Sequence, residues 1–243
     1  MIGQVSPRIM ADNPVILITR PEPQASRFAD EIRNEIGNRT EILVHPLSIR
    51  KTLNVQMHSG DFDGVAFTSE SAVLSASELW TGPKGKAYAV GDRTAECAKK
   101  SGWQVESAKG TAQDLALLIA SDPKAKRILW PRGEVATSGF VEKCSRLGVQ
   151  IIDWPVYRMV PKISFPDGLD AASGHFVLLV FSTESAKTAR SVFGHLAEHI
   201  SVVVISSSAA KIFENFKNVH VADAPNGGAM IAKVLAIFPS PIS

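Results

Sequence analysis

Two short segments rich in hydroxyl groups are the part of this sequence best suited to bind an anion. Phe67–Ala72 reads Phe-Thr-Ser-Glu-Ser-Ala and Phe181–Ala186 reads Phe-Ser-Thr-Glu-Ser-Ala, and each lies between an apolar run and a helical pattern. A strand-to-helix turn leaves the first N–H groups of the helix without intrahelical partners, which favours a carboxylate or phosphate there. For any one turn, helix capping is the simpler interpretation. Several such turns in one chain favour an anion-binding site.

Other hydroxyl and basic residues follow further apolar runs. In open α/β sheets a ligand lies beyond the carboxyl ends of the strands. The candidate ligand-binding residues at those ends are Arg20, Thr68, Ser69, Ser71, Thr94, Arg132, Thr183, Ser185, Ser206, Ser207 and Ser208. Arg132 allows three interpretations: carboxylate binding, capping of a neighbouring sheet, or an ion pair within its own lobe. Tyr157 lies in an apparent connector, where it would either donate a proton to a ligand or pack against a domain edge.

The motifs of several enzyme classes are absent from the sequence. It contains no Gly-x-Gly-x-x-Gly, P-loop, Gly-x-Ser-x-Gly or Cys-x-x-Cys motif. His195 and His199 stand four residues apart, but the order His-Glu-x-x-His is not met, so a surface pair is the simpler interpretation. We expect no metal site, and any catalysis would depend on positioning and fixed dipoles.

Composition and charge argue against some classes of binding partner. The chain has 243 residues, a formal charge of +2 and 7% aromatic residues, which argues against nucleic-acid binding. The sequence has no run of about 18 apolar residues, so it predicts no membrane span. Residues 1–13 lack the apolar core of a signal peptide and are expected to be a flexible tail. We therefore expect a cytoplasmic protein in which Cys97 and Cys144 are reduced thiols.

Short apolar runs alternate with helical patterns along the chain. The predicted strands are Val15–Thr19, Glu41–Val44, Val65–Phe67, Ala87–Val90, Arg127–Trp130, Ile151–Trp154, Val177–Phe181 and Val202–Ile205. The predicted helices are Gln24–Ile36, Ser71–Leu79, Arg93–Ser101, Ala112–Ser121, Ser138–Leu147, Ser185–Val192, Ala209–Asn215 and Gly228–Ile237. This alternation is typical of parallel sheets with helices on both faces.

The sequence also contains an internal repeat. Four segments follow one another as A (15–46), B (62–120), A′ (128–155) and B′ (176–236), and the two hydroxyl-rich segments match within B and B′. The alternative is the general likeness of all α/β chains. A duplication predicts two similar domains that face one cleft.

Two extended, proline-containing stretches mark the expected domain boundaries. We predict connectors over 47–50 and 156–161, a first lobe formed by 14–46 plus 162–243, and an inserted second lobe over 51–155.

In the order and spacing of its motifs the chain resembles the uroporphyrinogen-III synthase family. The matching elements are Thr19-Arg20-Pro21, Phe67-Thr68-Ser69, Ala89-Val90-Gly91 with Thr94, Arg132-Gly133 and Pro155-Val156-Tyr157-Arg158. The resemblance implies two flavodoxin-like lobes with parallel sheets, one inserted in the other, joined by a two-stranded linker. It also implies a monomer that needs no cofactor and a polycarboxylate substrate, the linear tetrapyrrole hydroxymethylbilane.

The reaction implied by the resemblance is a cyclisation to uroporphyrinogen III. The terminal hydroxyl leaves as water, and ring D is inverted through a spiro intermediate. Tyr157 matches the family tyrosine that assists loss of the hydroxyl. Two departures concern the binding residues: Ala209 replaces a family threonine, and residues 134–138 lack a family arginine. The alternatives are a two-lobed sensor that binds an anionic small molecule without reacting it, and a paralogue that keeps only the fold.

Overall fold

The protein is described from a computed structural model, which covers residues 14–37, 40–57, 60–135, 139–167, 169 and 176–237. The predicted tail over residues 1–13, and Ser138 at the start of one predicted helix, lie outside the described residues. The chain divides into two compact units. Unit 1 is Met1–Ile49 with Pro161–Ser243, and unit 2 is Arg50–Val160, so unit 2 is inserted into unit 1.

The described strands and helices alternate along most of the chain. The strands are β1 (Val15–Ile18), β2 (Ile42–Val44), β3 (Ser48–Thr52), β4 (Gly64–Phe67), β5 (Lys86–Ala89), β6 (Gln104–Ser107), β7 (Arg127–Gly133), β8 (Gln150–Pro161), β9 (Phe176–Val180), β10 (Ser201–Val204) and β11 (Asn218–Val221). The helices are α1 (Gln24–Ile36), α2 (Glu70–Leu79), α3 (Asp92–Lys100), α4 (Ala112–Ser121), α5 (Phe140–Arg146), α6 (Thr183–Phe193), α7 (Ser207–Ala210) and α8 (Gly227–Ile237). Short 3-10 helices cover Gly194–Leu196 and Lys211–Phe213.

Local sequence explains where the best-defined helices begin and end. Along α1, every third or fourth residue is buried, and Gly37 ends the helix with φ of 62°, a conformation that favours glycine. The α4 helix begins at a capping box, in which Thr111 accepts from the N–H of Asp114 and Asp114 accepts from the N–H of Thr111. The structure confirms the predicted bounds of both helices.

Unit 1 is built on a parallel sheet with the order β11-β10-β9-β1-β2. Because side chains alternate along each strand, the sheet contributes to two cores. Leu17, Leu178 and Val202 pack with Phe193 of α6 in one core. On the other face, Ile16 and Leu179 pack with residues of α1 and α8.

Unit 2 contains the second sheet, with the order β3-β8-β7-β4-β5-β6. Strands β8, β7, β4, β5 and β6 run parallel to one another. Phe67 and Leu129 pack with α2 and α3 on one face. Ala66 and Ile128 pack with α4 and α5 on the other face.

Both sheets have the flavodoxin-like order, but the chain enters it at different points. In unit 1 the chain order β1, β2, β9, β10, β11 gives the spatial order 2-1-3-4-5. In unit 2 the same spatial order results when β7 and β8 are counted first and β4, β5 and β6 follow. Unit 1 therefore combines segments A and B′ of the repeat, and unit 2 combines segments B and A′. The predicted fold class, two parallel α/β lobes with one inserted in the other, is confirmed.

Sequence reasoning missed strands β3, β6 and β11. The β6 sequence Gln-Val-Glu-Ser and the β11 sequence Asn-Val-His-Val contain too few apolar residues to read as buried strands. Both lie at a sheet edge, where only one neighbouring strand and one apolar face are needed. The β3 strand was expected as part of an extended connector. It lies beside β8 in the sheet, and the unit boundaries fall within these two strands.

Candidate active site at the ends of the parallel strands

The turn between β4 and α2 places two hydroxyl groups at the carboxyl end of an interior strand of unit 2. Ser69 has extended backbone angles and is the N-cap of α2, since its Oγ accepts from the N–H of Ala72 at 3.1 Å. Thr68 accepts a hydrogen bond from Nε1 of Trp130 on the adjacent strand β7 at 3.2 Å. Ser71 is half-buried in the first turn of α2. Capping, the alternative considered from the sequence, is thus one role of Ser69.

Tyr157 lies on β8 and reaches the same turn. Its hydroxyl oxygen is 3.3 Å from Oγ of Ser69, a separation at which two hydroxyls form a weak hydrogen bond. Its ring packs against the apolar core that α2 shares with the sheet. The structure therefore brings together Tyr157 and Ser69, two residues that are 88 positions apart in the sequence.

The turn between β5 and α3 is the second polar turn of unit 2. Gly91 is the N-cap of α3, and among the described residues no side chain caps the helix there. Within the described residues, the N–H groups of the first turn of α3 therefore donate to no capping side chain and remain available to hydrogen-bond an anion. Thr94 is in this turn with 7% of its surface exposed, and the adjacent Asp92 and Arg93 carry opposite charges.

Arg132, at the end of β7, makes its hydrogen bonds to other residues of unit 2. Its Nε and Nη2 donate to the two carboxylate oxygens of Asp153, each at 2.5 Å. Its Nη1 donates to the backbone oxygens of Gly133 at 2.6 Å and Glu134 at 2.9 Å. Hydrogen bonding to Asp153 raises the pKa of Arg132 further above its ordinary value. Of the three interpretations left open by the sequence, the geometry favours the ion pair within the lobe.

In unit 1, the turn between β9 and α6 is closed by its own side chains. Ser182 caps α6 and accepts from the N–H of Ser185 at 3.0 Å, while Ser185 Oγ accepts from the N–H of Ser182 at 3.0 Å. The hydroxyl of Ser185 is thereby used in a capping box. Thr183, the first residue of α6, points its hydroxyl to that of Ser208 at 3.3 Å.

Three serines follow β10 in the second polar turn of unit 1. Ser206 caps the short helix α7 by accepting from the N–H of Ala209 at 3.3 Å, and its Oγ is 2.9 Å from that of Ser208. Ser207 and Ser208 are exposed, and Ala209 is buried. The structure thus brings the hydroxyls of Thr183, Ser206 and Ser208 into one group.

Arg20 follows β1 and lies against aromatic rings of unit 1. Its guanidinium carbon is 4.7 Å from the ring centroid of Phe181 and 5.8 Å from that of Phe28. The two rings meet edge to face at 4.9 Å. A cation stacked in this way is held at the carboxyl end of the sheet.

Some residues at these sheet ends were missed by sequence reasoning. Asp153 and Trp130 hold Arg132 and Thr68, and no sequence pattern indicates either pairing. His45 follows β2, and its Nε2 is 2.8 Å from the backbone oxygen of Ser164. The only available signal for His45 was its place directly after a short apolar run.

The described residues contain neither a cluster that could hold a metal ion nor a helix that could span a membrane. Within the part of the chain that the structure describes, no group of three or more His, Cys, Asp or Glu side chains could hold a metal ion. Among the same residues, no helix combines the length and apolar character needed to cross a bilayer.

Comparison with solved structures supports the fold. A crystal structure of uroporphyrinogen-III synthetase from Helicobacter pylori 26695 matches with a TM-score of 0.57 and 16% identity, over 93% of this chain and all (100%) of that chain. A mutant uroporphyrinogen III synthase from Thermus thermophilus matches at a TM-score of 0.45 and 12% identity, over 93% of this chain and 99% of that one. At 16% identity the likeness to the Helicobacter pylori structure shows the fold only. No curated protein sequence gave a significant match.

The fold and the polar turns define a class, the two-unit α/β proteins with hydroxyl groups and helix starts at the carboxyl ends of parallel strands. Within that class, the family model of uroporphyrinogen-III synthase HemD matches residues 22–232, and the chain belongs to this family. It is a lyase of haem biosynthesis. Its reaction closes hydroxymethylbilane to uroporphyrinogen III with loss of water and inversion of ring D, as the sequence resemblance implied.

Proposed function

We propose that Tyr157 is the general acid of this cyclisation and that the polar turns of each unit bind carboxylates of the substrate. One observation carries the assignment of the acid. The Tyr157 hydroxyl lies 3.3 Å from Oγ of Ser69, at the N-terminus of α2. A proton donor is thereby placed beside a second hydroxyl and the positive end of a helix dipole.

This arrangement suits the departure of the terminal hydroxyl of hydroxymethylbilane. The carbon–oxygen bond breaks as the phenol proton passes to the leaving oxygen, which becomes water. The pyrrole nitrogen supplies the electron pair that forms the azafulvene. The hydroxyl of Ser69 and the dipole of α2 stabilise the phenolate that remains. When the new macrocycle regains its aromatic pyrroles, the released proton returns to Tyr157.

The carboxylates of the substrate suit the chemistry of the polar turns. Hydroxymethylbilane carries eight carboxylates, and uncapped N–H groups at helix starts suit such groups. We assign carboxylate binding to the hydroxyl residues of these turns and to the arginine that follows β1: Arg20, Thr68, Ser69, Ser71, Thr94, Thr183, Ser206, Ser207 and Ser208. Arg132 and Ser185 instead hold the backbone that supports these turns.

The test of the acid is Tyr157→Phe, which removes the hydroxyl and keeps the ring. We expect kcat for uroporphyrinogen III formation to fall by about 100-fold with KM changed less than about twofold, because a general acid acts in the transition state. Tyr88→Phe is the matched control, since Tyr88 donates to Asp122 at the opposite end of the sheet. Unchanged kcat in Tyr157→Phe would refute the assignment.

Four further features belong to the proposal. We propose that the enzyme is a cytoplasmic monomer that binds no nucleic acid, with Cys97 and Cys144 as reduced thiols. A light-scattering mass near 26.1 kDa would support the monomer. A mass of twice that value would refute it.

A further inference from the structure

We propose that Gly133 is a positioning residue for Tyr157: the absence of a side chain at 133 lets the phenol occupy its place beside Ser69. This inference rests on the proposed role of Tyr157 as the acid. Gly133 belongs to the Arg132-Gly133 motif, for which the reaction itself gives no role. Its backbone is not in the left-handed region, so backbone conformation alone does not require glycine here.

The first observation is the close approach of the Tyr157 ring. A methyl group at 133 would lie 3.1 Å from Cζ, 3.3 Å from Cε2 and 3.3 Å from the hydroxyl oxygen of Tyr157. These distances are shorter than ordinary van der Waals contacts, so the phenol would have to move by a few tenths of an ångström. All three contacts are at the end of the ring that carries the hydroxyl. Any side chain at 133 therefore acts on the atoms that would perform the chemistry.

The second observation is an irregularity in the pairing of β7 with β8. Arg132 pairs with Pro155 and Gly133 pairs with Tyr157, so Val156 is an extra residue on β8. In a regular strand, consecutive side chains point to opposite faces. Here the buried Val156 and the half-buried Tyr157 both contact the core that α2 shares with the sheet. An extra residue of this kind re-aims a side chain, and here it aims Tyr157 towards the start of α2.

The third observation is that the backbone on both sides of this contact is fixed. The N–H of Glu134 donates to the backbone oxygen of Tyr157 at 2.7 Å. Arg132 holds the oxygens of Gly133 and Glu134 while it pairs with Asp153 on β8. Since the backbone is held from both strands, a methyl at 133 would be accommodated by movement of the Tyr157 ring.

The test is a double-mutant cycle of Gly133→Ala and Tyr157→Phe, with kcat and KM measured for uroporphyrinogen III formation. We expect Gly133→Ala to lower kcat by about tenfold at nearly unchanged KM, since sub-ångström misplacement of a reacting group is costly. In the Tyr157→Phe background, the same change should have no further effect on kcat. Gly85→Ala is the matched control, because a methyl there meets no atom of the described residues within 4 Å.

A spectroscopic measurement separates failure of this inference from failure of the proposed function. The chain contains two tyrosines, Tyr88 and Tyr157, so ¹³Cζ-tyrosine labelling gives two NMR signals that Tyr157→Phe assigns. Gly133→Ala should move the Tyr157 signal and leave that of Tyr88 unchanged. Both signals unmoved, or the full kcat loss repeated in the Tyr157→Phe background, would overturn the positioning role. A moved Tyr157 signal in a protein whose Tyr157→Phe variant keeps full activity would support the contact and refute the acid.

Discussion

The two units share five strands in the same spatial order, yet they use equivalent positions differently. In unit 1, Ile18 pairs with Val44, and in unit 2 the corresponding pair is Trp130 with Asp153. Arg132 follows Trp130 by two residues, as Arg20 follows Ile18. Asp153 fixes Arg132 in an ion pair, whereas the equivalent Val44 offers no carboxylate to Arg20, whose guanidinium lies against Phe181. The two equivalent arginines thus have different neighbours, a carboxylate in unit 2 and an aromatic ring in unit 1.

The position of Tyr157 also has an identifiable counterpart. Leu53 donates to the backbone oxygen of Val156 in unit 2, and Lys162 donates to that of Leu47 in unit 1, both at 2.9 Å. The residue after Val156 is Tyr157, and the residue after Leu47 is Ser48. The proposed acid therefore exists in one copy only, while both copies keep polar turns at their strand ends.

The two hydroxyl-rich segments are themselves out of register in the structure. Their letters match when Phe67 is aligned with Phe181. However, the N–H of Val90 donates to the oxygen of Phe67, and the N–H of Ile205 donates to the oxygen of Val180, each at 3.0 Å. Structurally, Phe67 corresponds to Val180, and the N-caps Ser69 and Ser182 then coincide. The two segments have similar residues because both must cap a helix. The sequence alignment is shifted by one residue from the structural alignment, so the matching residues make different contacts in the two turns.

The largest difference between the units is expected from removal of the equivalent arginines. Arg132→Ala should lower the free energy of unfolding by about 2 kcal/mol, because it removes four charge-assisted hydrogen bonds. Arg20→Ala should cost about 1 kcal/mol or less, as for a stacked cation. Its main effect should be a higher KM for hydroxymethylbilane. Urea unfolding and steady-state kinetics check both variants, and a larger stability loss for Arg20→Ala would contradict the comparison.

The equivalent N-caps provide the next contrast. Ser69→Ala and Ser182→Ala should each destabilise the protein by about 1 kcal/mol through loss of a cap. Because Ser69 also contacts Tyr157, Ser69→Ala should in addition lower kcat by about tenfold, while Ser182→Ala should leave kcat within about twofold. Equal kcat values for the two variants would show that the Tyr157–Ser69 contact has no part in catalysis.

The structural alignment of the two turns can be tested with Ser71 and Ser185, which the sequence alignment matches. Ser185 completes a capping box, whereas within the described residues Ser71 makes no equivalent contact with the cap of α2. Ser185→Ala should therefore lower stability by about 0.5 to 1 kcal/mol, and Ser71→Ala should change it by less. Thermal unfolding of both variants is sufficient. Equal losses of stability in the two variants would favour the sequence alignment over the structural alignment.

The smallest effect concerns unit 2 alone, because both tyrosines of the chain lie there. Burial, together with the hydrogen bond to Asp122, raises the pKa of Tyr88 to about 12. Since the ordinary value is about 10, the folded state keeps this proton longer than the unfolded state. The stability due to Tyr88 is present below pH of about 10 and is lost as the pH rises towards 12. Unfolding at pH of about 9 and about 11 should show this decline in the parent protein and a smaller decline in Tyr88→Phe.

Much of the fold could be predicted from the sequence, and less of the site. The alternation of apolar runs and helices was sufficient for two parallel sheets, since buried strands have a strong pattern. Strands β6 and β11 could not be predicted, because an edge strand needs few apolar residues. The sequence identified Ser69 and Thr183 by their place after strands, and Tyr157 by its place in an apparent connector and by the family resemblance. It could not show that Asp153 pairs with Arg132, or that Gly133 makes room for Tyr157, because these contacts depend on register between distant segments.

The central claim is that this chain holds hydroxymethylbilane in one conformer and closes it with ring D inverted. The most direct test is the isomer ratio of the product when the purified protein is given freshly made hydroxymethylbilane. The account predicts uroporphyrinogen III as the dominant isomer, against the symmetric isomer I formed without enzyme. Formation of isomer I alone, at the rate of the reaction without protein, would contradict it.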